Sequence, residues 1–376
     1  MTRKATNGAG SIYRDATKGR WVGAISLADG RRRKVSGRTQ SEARERLVSL
    51  RRSLAAAPGL PAEVTVAAFL EHWLTDVLPA TVTPSTAVNY ANIAKTYLLP
   101  HLGGIQLDKL TPAQVRQAMT KLAVQGLSPN TQRLARSVLR RALRTAESDG
   151  LVTRNVAALV DGVRVPRPEG RTLTPEQARA LLSSLQGHES EALVALMLGL
   201  GIRKGETLGL TWPDVDLDAA TLTVNRALKK DGRGGTYLDE PKTAGSRRRV
   251  HLPRPVVEVL KRHRGTQAAE RLTFGAGYGR GWPNLVFTSS VGTPLDPDRV
   301  NRTVQRLTEE AGLGRWTPHE LRHSAASLLL AMNVPLKTVS EMLGHASIRI
   351  TADVYGHLLE PARREAADAM TSALWG

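Results

Sequence analysis

The sequence predicts a chain of several domains that is mainly α-helical with small β-sheets. Its 376 residues exceed what one hydrophobic core usually serves. Two segments rich in proline, glycine or arginine, PGLPAE at 58–63 and DGVRVPRPEGRT at 161–172, interrupt the chain as linkers do. Around them helical periodicity dominates, and strand-like alternation is confined to short stretches. We therefore expect three domains, at residues 1–57, 62–160 and 171–376.

The charge of the chain favours a polyanionic partner. It has 53 Lys and Arg against 34 Asp and Glu, a net charge of +19, and such a surplus is typical of nucleic-acid-binding proteins. The absence of cysteine excludes disulfides, thiolate metal sites and cysteine nucleophiles. The sequence has neither a signal peptide nor a run of about 18 apolar residues. We therefore expect a cytoplasmic protein that is not bound to a membrane.

The first domain carries over half of the surplus charge, with 14 Lys and Arg against 4 Asp and Glu in residues 1–57. Residues 10–37 alternate strand-like pieces with turn residues, and 39–57 have a helical pattern, which predicts a three-stranded sheet packed on one helix. The Asp-Gly pair at 29–30 indicates a hairpin turn. A cationic run follows it on a ribbon that is able to enter a DNA groove, although a disordered charge run is the alternative. The run consists of Arg31, Arg32, Arg33 and Lys34.

The second domain has four helical patterns, at 66–78, 84–103, 111–124 and 128–150, which predict a compact helical bundle. Arginines recur along the last pattern at near-helical spacing. This face is either a surface that follows DNA phosphates or an ordinary solvated face. The candidate DNA contacts are Arg133, Arg136 and Arg140, with Arg141 and Arg144 beside them.

The third domain is predicted to mix helices with short strands. EALVALMLGLGI is almost wholly apolar and indicates a buried helix, and Arg203 follows its end with Glu206 three residues later to orient it. TLTVNRALKK and TYLDEPKTAGSRRRVHLP predict strands that place Lys242 beside a turn, and NLVFTSS predicts the start of another short segment.

In TPHELRHSAAS, the proline suits the first turn of a helix. His319 and Arg322 are three residues apart, so they lie on one helix face and are able to converge on one anionic group. Two solvated polar residues at a helix start are the alternative. His345 in LGHASIRIT and Tyr355 in ADVYGHL follow in order.

The ordered set GLGIRKGE, EPKTAGSRR, HELRH, LGHASIRIT and VYGHL resembles the tyrosine recombinase, or phage integrase, family. The strongest resemblance spans about residues 172–360. The helical domain before it resembles the core-binding domain of the family, and the basic N-terminus resembles the arm-binding domain. The resemblance implies a mixed α+β catalytic domain, in which we expect Glu206 to support the site by orienting Arg203 or its neighbours. The catalytic residues that it implies are Arg203, Lys242, His319, Arg322, His345 and Tyr355.

The chemistry of these residues is coherent. A phenol is a weak nucleophile at neutral pH, but it can attack a phosphodiester when cations stabilise the charge that builds on the phosphate. Arg203 and Arg322 suit this task because guanidinium groups match phosphate geometry. The resemblance implies that His319 exchanges the tyrosine proton, that Lys242 protonates the departing 5′ oxygen and that His345 donates to a non-bridging oxygen. Neither a metal nor another cofactor is expected.

We therefore expect a site-specific integrase that forms a 3′-phosphotyrosyl intermediate and inserts or excises a phage or mobile element. Its expected partners are double-stranded DNA with core-type and arm-type attachment sites, three further copies of the chain in a homotetramer, and DNA-bending and directionality proteins. The expected location is the cytoplasm of a bacterial cell, with association to the nucleoid when the protein is bound to DNA. A dimer resolvase, a conjugative-transposon recombinase and a non-catalytic DNA-binding regulator are the alternatives. A metal-dependent nuclease is disfavoured because the sequence has no cluster of acidic ligands.

Overall fold

The computed structural model divides the chain into two units, Met1–Arg167 and Pro168–Gly376. It describes residues 11–15, 19–26, 32–55, 64–165, 170–232, 234–240, 247–345, 347–355 and 360–375. At positions 49, 51–55, 350, 353–355 and 360–367 it describes the backbone alone.

The first unit begins with a small sheet and one helix. Strands β1 (Ser11–Asp15), β2 (Arg20–Ser26) and β3 (Arg32–Gly37) form an antiparallel sheet in chain order, and α1 (Gln40–Ala55) packs on β2 and β3. The small core between them consists of Val22, Ala24, Ala43 and Leu47. The predicted three-stranded sheet with one helix is confirmed. The predicted turn at 29–30 lies outside the described residues.

A helical bundle follows in the same unit. Its helices are α2 (Val66–His72), α3 (Pro84–Ile93), α4 (Leu99–Leu102), α5 (Pro112–Val124) and α6 (Pro129–Ser148). A π-helical turn extends α2 to residue 77 and another joins α3 to α4, so the helices make four continuous segments, as the sequence predicts. The 3₁₀ turns Leu78–Ala80, Leu107–Lys109 and Val156–Leu159 connect or follow them. Apolar faces of the segments meet in one core that includes Phe69, Trp73, Leu98, Leu139 and Leu143.

The second unit mixes helices with two small antiparallel sheets. Helices α7 (Pro175–Ser184), α8 (Glu191–Gly199) and α9 (Lys204–Leu208) come first. After a 3₁₀ turn at Trp212–Asp214, the chain forms strands β4 (Val215–Asp216), β5 (Thr221–Val224), β6 (Ala227–Lys230), β7 (Thr236–Asp239) and β8 (Arg248–His251). The sheet β4–β5–β8 and the hairpin β6–β7 result. The later helices are α10 (Arg254–Phe274), which the 3₁₀ turn Gly275–Gly277 follows, α11 (Pro297–Glu310), α12 (Pro318–Ala331), α13 (Leu336–Leu343), α14 (Ile348–Tyr355) and α15 (Glu360–Trp375).

Helix α8 is the centre of this unit. Its residues 191–198 are all buried, and the helix packs against α7, α9, α10 and α12. The segment NLVFTSS makes only isolated bridges, Thr211 with Leu285 and Thr288 with Pro294, and not a strand. Val286 and Phe287 are buried there by packing against the same core. Among the described residues, no helix is both long and apolar enough to cross a membrane.

Candidate active site

A tight turn at the end of α8 presents Arg203. Gly201 has φ +64°, a left-handed conformation that favours glycine, and a Cβ there would lie 2.5 Å from Leu343 Cδ2. Ile202 is fully buried after it. Arg203 then caps the N-terminus of α9, with 42% of its side chain exposed. The turn thus anchors the backbone in the core and leaves the guanidinium accessible.

Glu206 is shared by two arginines. Arg203 Nη1 donates to Glu206 Oε1 at 2.7 Å and the Arg203 backbone N–H donates to Oε2 at 3.1 Å. Arg248 on β8 donates to the same two oxygens, from Nη2 to Oε2 at 2.7 Å and from Nη1 to Oε1 at 3.3 Å. Burial alone would raise the pKa of Glu206, but Arg248 and Arg203 outweigh it and hold the pKa below its usual value. Glu206 is therefore a buried carboxylate that both guanidinium groups keep ionised.

Helix α12 carries His319 and Arg322 in its first turns. Thr317 and Glu320 form a capping box, in which the Thr317 N–H donates to Glu320 Oε2 at 2.7 Å and the Glu320 N–H donates to Thr317 Oγ1 at 3.3 Å. His319 is exposed, whereas Arg322 is 5% exposed. Arg322 Nη1 donates to the Gly201 carbonyl at 2.5 Å, so α12 is fixed directly to the turn that presents Arg203.

Three arginines converge on the C-terminal end of α13. Arg248 Nε donates to the Met342 carbonyl at 2.7 Å, Arg322 Nη2 to the Leu343 carbonyl at 2.8 Å and Arg203 Nη2 to the Gly344 carbonyl at 2.8 Å. A helix end has unpaired carbonyls and a partial negative charge, which cations satisfy. Gly344 ends the helix in the left-handed conformation, with φ +65°, and His345 follows. We call these three contacts the carbonyl clamp.

His345 connects the carbonyl clamp to α14. His345 Nδ1 lies 2.7 Å from the hydroxyl of Thr351, which is fully buried, and α14 packs against α12 and α13. Tyr355 is the last residue of α14, one helical turn after Thr351, and its side chain is outside the described part of the structure. Residues four apart lie on one helix face, so the backbone at Tyr355 continues the face that contacts His345.

The histidines of the site are neutral at neutral pH. Burial, followed by the charges of Arg322 and Arg203, lowers the pKa of His345 to about 4. Partial burial of the ring, followed by the charge of Arg322, also lowers the pKa of His319. His323 Nε2 lies 2.9 Å from His319 Nε2, and burial and His319 lower the pKa of His323 to about 4. Neutral imidazoles beside two guanidinium groups are able to accept a proton from a substrate or a nucleophile.

The other candidate residues from the sequence are Lys242 and the basic residues of the first unit. Lys242, which follows the hairpin β6–β7 in the sequence, lies outside the described residues. Arg31 also lies outside them. In the first unit, Arg32, Arg33 and Lys34 are exposed on β3, and Arg133 and Arg140 are exposed on α6.

Arg136 differs from the other α6 candidates because it is only partly exposed. Its Nη2 donates to the Val160 carbonyl. The guanidinium therefore joins α6 to the chain that follows the bundle.

Three residues of the site, Arg248, His323 and Thr351, are not among the residues that the sequence motifs predict. A signal for Arg248 was available: in RRVHL, alternate residues Arg248, Val250 and Leu252 face the interior, and an arginine on that face needs a partner. His323 is four residues after His319, which puts both on one helix face. For Thr351 we find no signal beyond its spacing from Tyr355. Among the described residues, no group of three or more acidic, histidine or cysteine side chains is arranged to hold a metal ion.

Comparison with known proteins identifies the family. Residues 171–361 match the "Phage integrase family", and residues 65–123 match "Phage integrase, N-terminal SAM-like domain". A "Tyrosine recombinase XerC-like" protein of Caldanaerobacter subterraneus subsp. tengcongensis is 31% identical over 327 residues, which are 82% of this chain and 83% of the relative. An "Integrase" of Streptomyces ambofaciens is 31% identical over 392 residues, which are 98% of this chain and 97% of the relative.

Solved structures share the fold. A fragment of the Tn1549 transposon integrase in complex with circular intermediate DNA has a TM-score of 0.67 at 22% identity and covers 82% of this chain and 100% of its own. A lambda integrase tetramer bound to a Holliday junction has a TM-score of 0.58 at 17% identity and covers 94% of this chain and 96% of its own. The family match and the 31% identical relatives together show that this chain belongs to the phage integrase family and is a tyrosine recombinase.

Proposed function

We propose that this recombinase cuts and rejoins DNA strands at specific sites with Tyr355 as its nucleophile. One observation carries the proposal: His345, held on the carbonyl clamp beside Arg203 and Arg322, contacts Thr351 one helical turn before Tyr355. A phosphate that reaches the exposed Arg203 guanidinium is then close to the face of α14 that ends at Tyr355. Two cations, neutral imidazoles and a phenol are the groups that a phosphoryl transfer through tyrosine requires.

In the proposed reaction, the Tyr355 oxygen forms a bond to phosphorus while the bond from phosphorus to the 5′ oxygen breaks. His319 accepts the phenol proton, and Lys242 gives a proton to the departing 5′ oxygen. Arg203 and Arg322 stabilise the charge on the non-bridging oxygens. A guanidinium has five N–H donors, so the side-chain contacts of Arg203 to Glu206 and Gly344 leave N–H groups for a phosphate.

The proposed role of His345 agrees with its contact to Thr351. With a pKa of about 4 the ring is neutral at neutral pH and carries one N–H. If the Thr351 hydroxyl donates to Nδ1, the proton of the ring is on Nε2, which is then able to donate to a non-bridging oxygen. The phosphotyrosyl bond retains the energy of the phosphodiester, so the 5′ hydroxyl of a second strand reverses the step and completes strand exchange.

The test is covalent trapping. The DNA substrate carries the junction sequences of the genetic element that contains the gene, and sequencing of the DNA that flanks this element identifies them. A nick in the duplex prevents religation. The parent protein should form an adduct that survives a denaturing detergent gel. Tyr355→Phe should bind the same duplex with unchanged affinity but form no adduct, because it lacks only the hydroxyl.

Tyr278→Phe is the matched control, since Tyr278 is a tyrosine of the same unit whose hydroxyl contacts Thr288 and takes no part in the three contacts of the clamp. It should form the adduct like the parent. An adduct that persists in Tyr355→Phe would assign the nucleophile to another residue.

The proposed assembly is a homotetramer on two DNA duplexes. The lambda integrase structure of this fold is a tetramer on a Holliday junction. The last helix offers a contact: Met370 and Leu374 are four residues apart on α15 and are 56% and 60% exposed, and Trp375 beside them is 78% exposed. We propose that this end of α15 binds a neighbouring subunit, where those side chains become buried.

The proposed DNA surfaces follow the charges of the first unit. The cationic run continues into β3, where Arg32, Arg33 and Lys34 are exposed, and it should grip arm-type sites apart from the cleavage site. On α6, Arg133 and Arg140 are the proposed contacts to core-site phosphates. Arg136 is the weaker candidate because its guanidinium already donates to Val160.

We further propose that the substrate is the DNA of a phage or mobile element in the bacterial cytoplasm. DNA-bending and directionality proteins are further proposed partners. The basic N-terminal domain supports an integrase with two kinds of DNA site more than a minimal dimer resolvase.

A further inference from the structure

Arg248 is a largely enclosed member of the carbonyl clamp. It lies on the interior face of β8, and 8% of its side chain is exposed, against 42% for Arg203. All three of its nitrogens donate: two reach the carboxylate of Glu206 and Nε reaches the Met342 carbonyl. Arg248 is thus enclosed within the protein, whereas Arg203 reaches solvent.

The charges of this group leave a surplus that Arg203 presents outward. Arg203 and Arg248 carry two positive charges and share one negative charge, that of Glu206. The bidentate contact from Arg248 gives each oxygen of the Glu206 carboxylate a charged hydrogen-bond donor. Without Arg248, Glu206 would be a buried carboxylate with Arg203 as its remaining ion-pair partner, and Arg203 would be drawn into that pair. Its charge would then be compensated, and its guanidinium turned away from a phosphate.

Arg248 also supports the chain that leads to His345. Its Nε contact holds the Met342 carbonyl, the first of the three in the carbonyl clamp. Gly344 packs directly on the Arg248 guanidinium, since a Cβ at Gly344 would lie 2.6 Å from Arg248 Nη1. Met342 and Gly344, which lie on either side of Leu343, therefore both contact the Arg248 guanidinium.

We propose that Arg248 is a positioning residue for DNA cleavage: through Glu206 it keeps the charge of Arg203 available to the scissile phosphate, and through Met342 it fixes the backbone before His345. The inference rests on the proposed function. It adds to that function a residue that acts through others and does not touch the DNA.

The experiment compares Arg248→Gln with Arg249→Gln in the full-length protein. Arg249 is the next residue of the same strand, is exposed, and its Nε donates to Thr221, so its replacement removes the same charge without touching the clamp. The probe is the nicked junction duplex, with adduct formation and equilibrium binding measured separately. Arg248→Gln should slow adduct formation about 100-fold, as a small misplacement of a catalytic group does. Its affinity for the duplex, and both properties of Arg249→Gln, should stay at the level of the parent.

Two further variants separate positioning from simple loss of stability. Arg248→Lys should recover part of the rate, because an ammonium is able to pair with Glu206 but not to reach all three acceptors. In a Glu206→Gln background, Arg248→Gln should add only a small further loss, because no unpaired buried carboxylate remains. This double variant also keeps the buried charges balanced, so it should fold even if Arg248→Gln alone does not.

Equal loss from Arg248→Gln in both backgrounds would overturn the proposed action through Glu206. Parent-like adduct formation by Arg248→Gln would overturn the inference altogether, while leaving the proposed function intact. A parent protein that forms no adduct would overturn the proposed function itself, and this inference with it.

Discussion

Gly201→Ala should disrupt the active site through packing alone. The added Cβ would lie 2.5 Å from Leu343 Cδ2 and 3.4 Å from Ala325 Cβ, and the backbone at φ +64° disfavours any side chain. The Gly201 and Leu343 carbonyls both accept hydrogen bonds from Arg322. A shift of either residue therefore moves a guanidinium that we assign to catalysis.

The magnitude has two parts. A left-handed backbone costs a non-glycine residue about 1–2 kcal/mol, and an extra methyl group in a packed core costs about 1–3 kcal/mol. Gly187→Ala separates these parts, because Gly187 has φ +76° but nothing within 4 Å of its added Cβ. Both variants should show the backbone cost, and only Gly201→Ala should show the packing cost.

Thermal unfolding and adduct formation measure the two effects. With a difference of about 2 kcal/mol in the free energy of unfolding, Gly201→Ala should unfold about 4–8 °C below Gly187→Ala. At a temperature where both are folded, Gly201→Ala should form the covalent adduct about 100-fold more slowly than the parent, and Gly187→Ala should match the parent. Equal unfolding temperatures for the two variants would refute the packing argument.

Four further predictions concern catalysis, assembly, DNA binding and pH. Arg203→Ala and Arg322→Ala should each lose about 10²–10³ in the rate of adduct formation, as when an oxyanion contact is removed, and a chelator should leave the parent rate unchanged; a requirement for magnesium would contradict the mechanism. Deletion of residues 361–376 should reduce synaptic complexes in native gels without changing the unfolding temperature, and undiminished complexes would contradict the role of α15. Removal of residues 1–60 should spare cleavage of an isolated core site but abolish recombination between full attachment sites, and the fragment 1–60 should protect discrete repeats in footprints where a nonspecific tail would protect none. Since the pKa of His345 falls from 6.5 to about 4 on folding, protons bind the unfolded chain preferentially and stability declines as pH falls from 6.5 towards 4; His345→Asn should show a shallower decline in unfolding temperature, and an identical decline would contradict the depressed pKa.

Local patterns in the sequence were sufficient for most of the fold. The helices of the bundle and the buried α8 follow from apolar spacing and from Thr or Ser caps, which act within a few residues. NLVFTSS was harder because its apolar side chains reflect burial against a distant core and not pairing in a strand. Periodicity grouped Arg136 with the exposed arginines of α6, but the chain that returns past α6 supplies a carbonyl for it.

Only part of the site could be predicted from the sequence, again because contacts between distant residues leave no local pattern. The motif residues stand out because they are polar groups at helix starts and after glycines. Arg248 does not, because its partner Glu206 is 42 residues away and its other acceptor is a backbone carbonyl, which every residue has. A side-chain pattern does not encode contacts to the main chain.

The carbonyl clamp therefore constrains how this sequence is able to diverge. Its three acceptors belong to the main chain, so the residue types at 342 and 343 are not needed for the arginine contacts, and packing alone selects the fully buried Leu343. The number of residues in this part of the chain, by contrast, is constrained. An insertion or deletion of one residue between Leu336 and His345 would rotate the end of α13 by about 100° and remove all three acceptors from their arginines at once. This stretch should tolerate replacement of its exposed side chains and reject changes in its length.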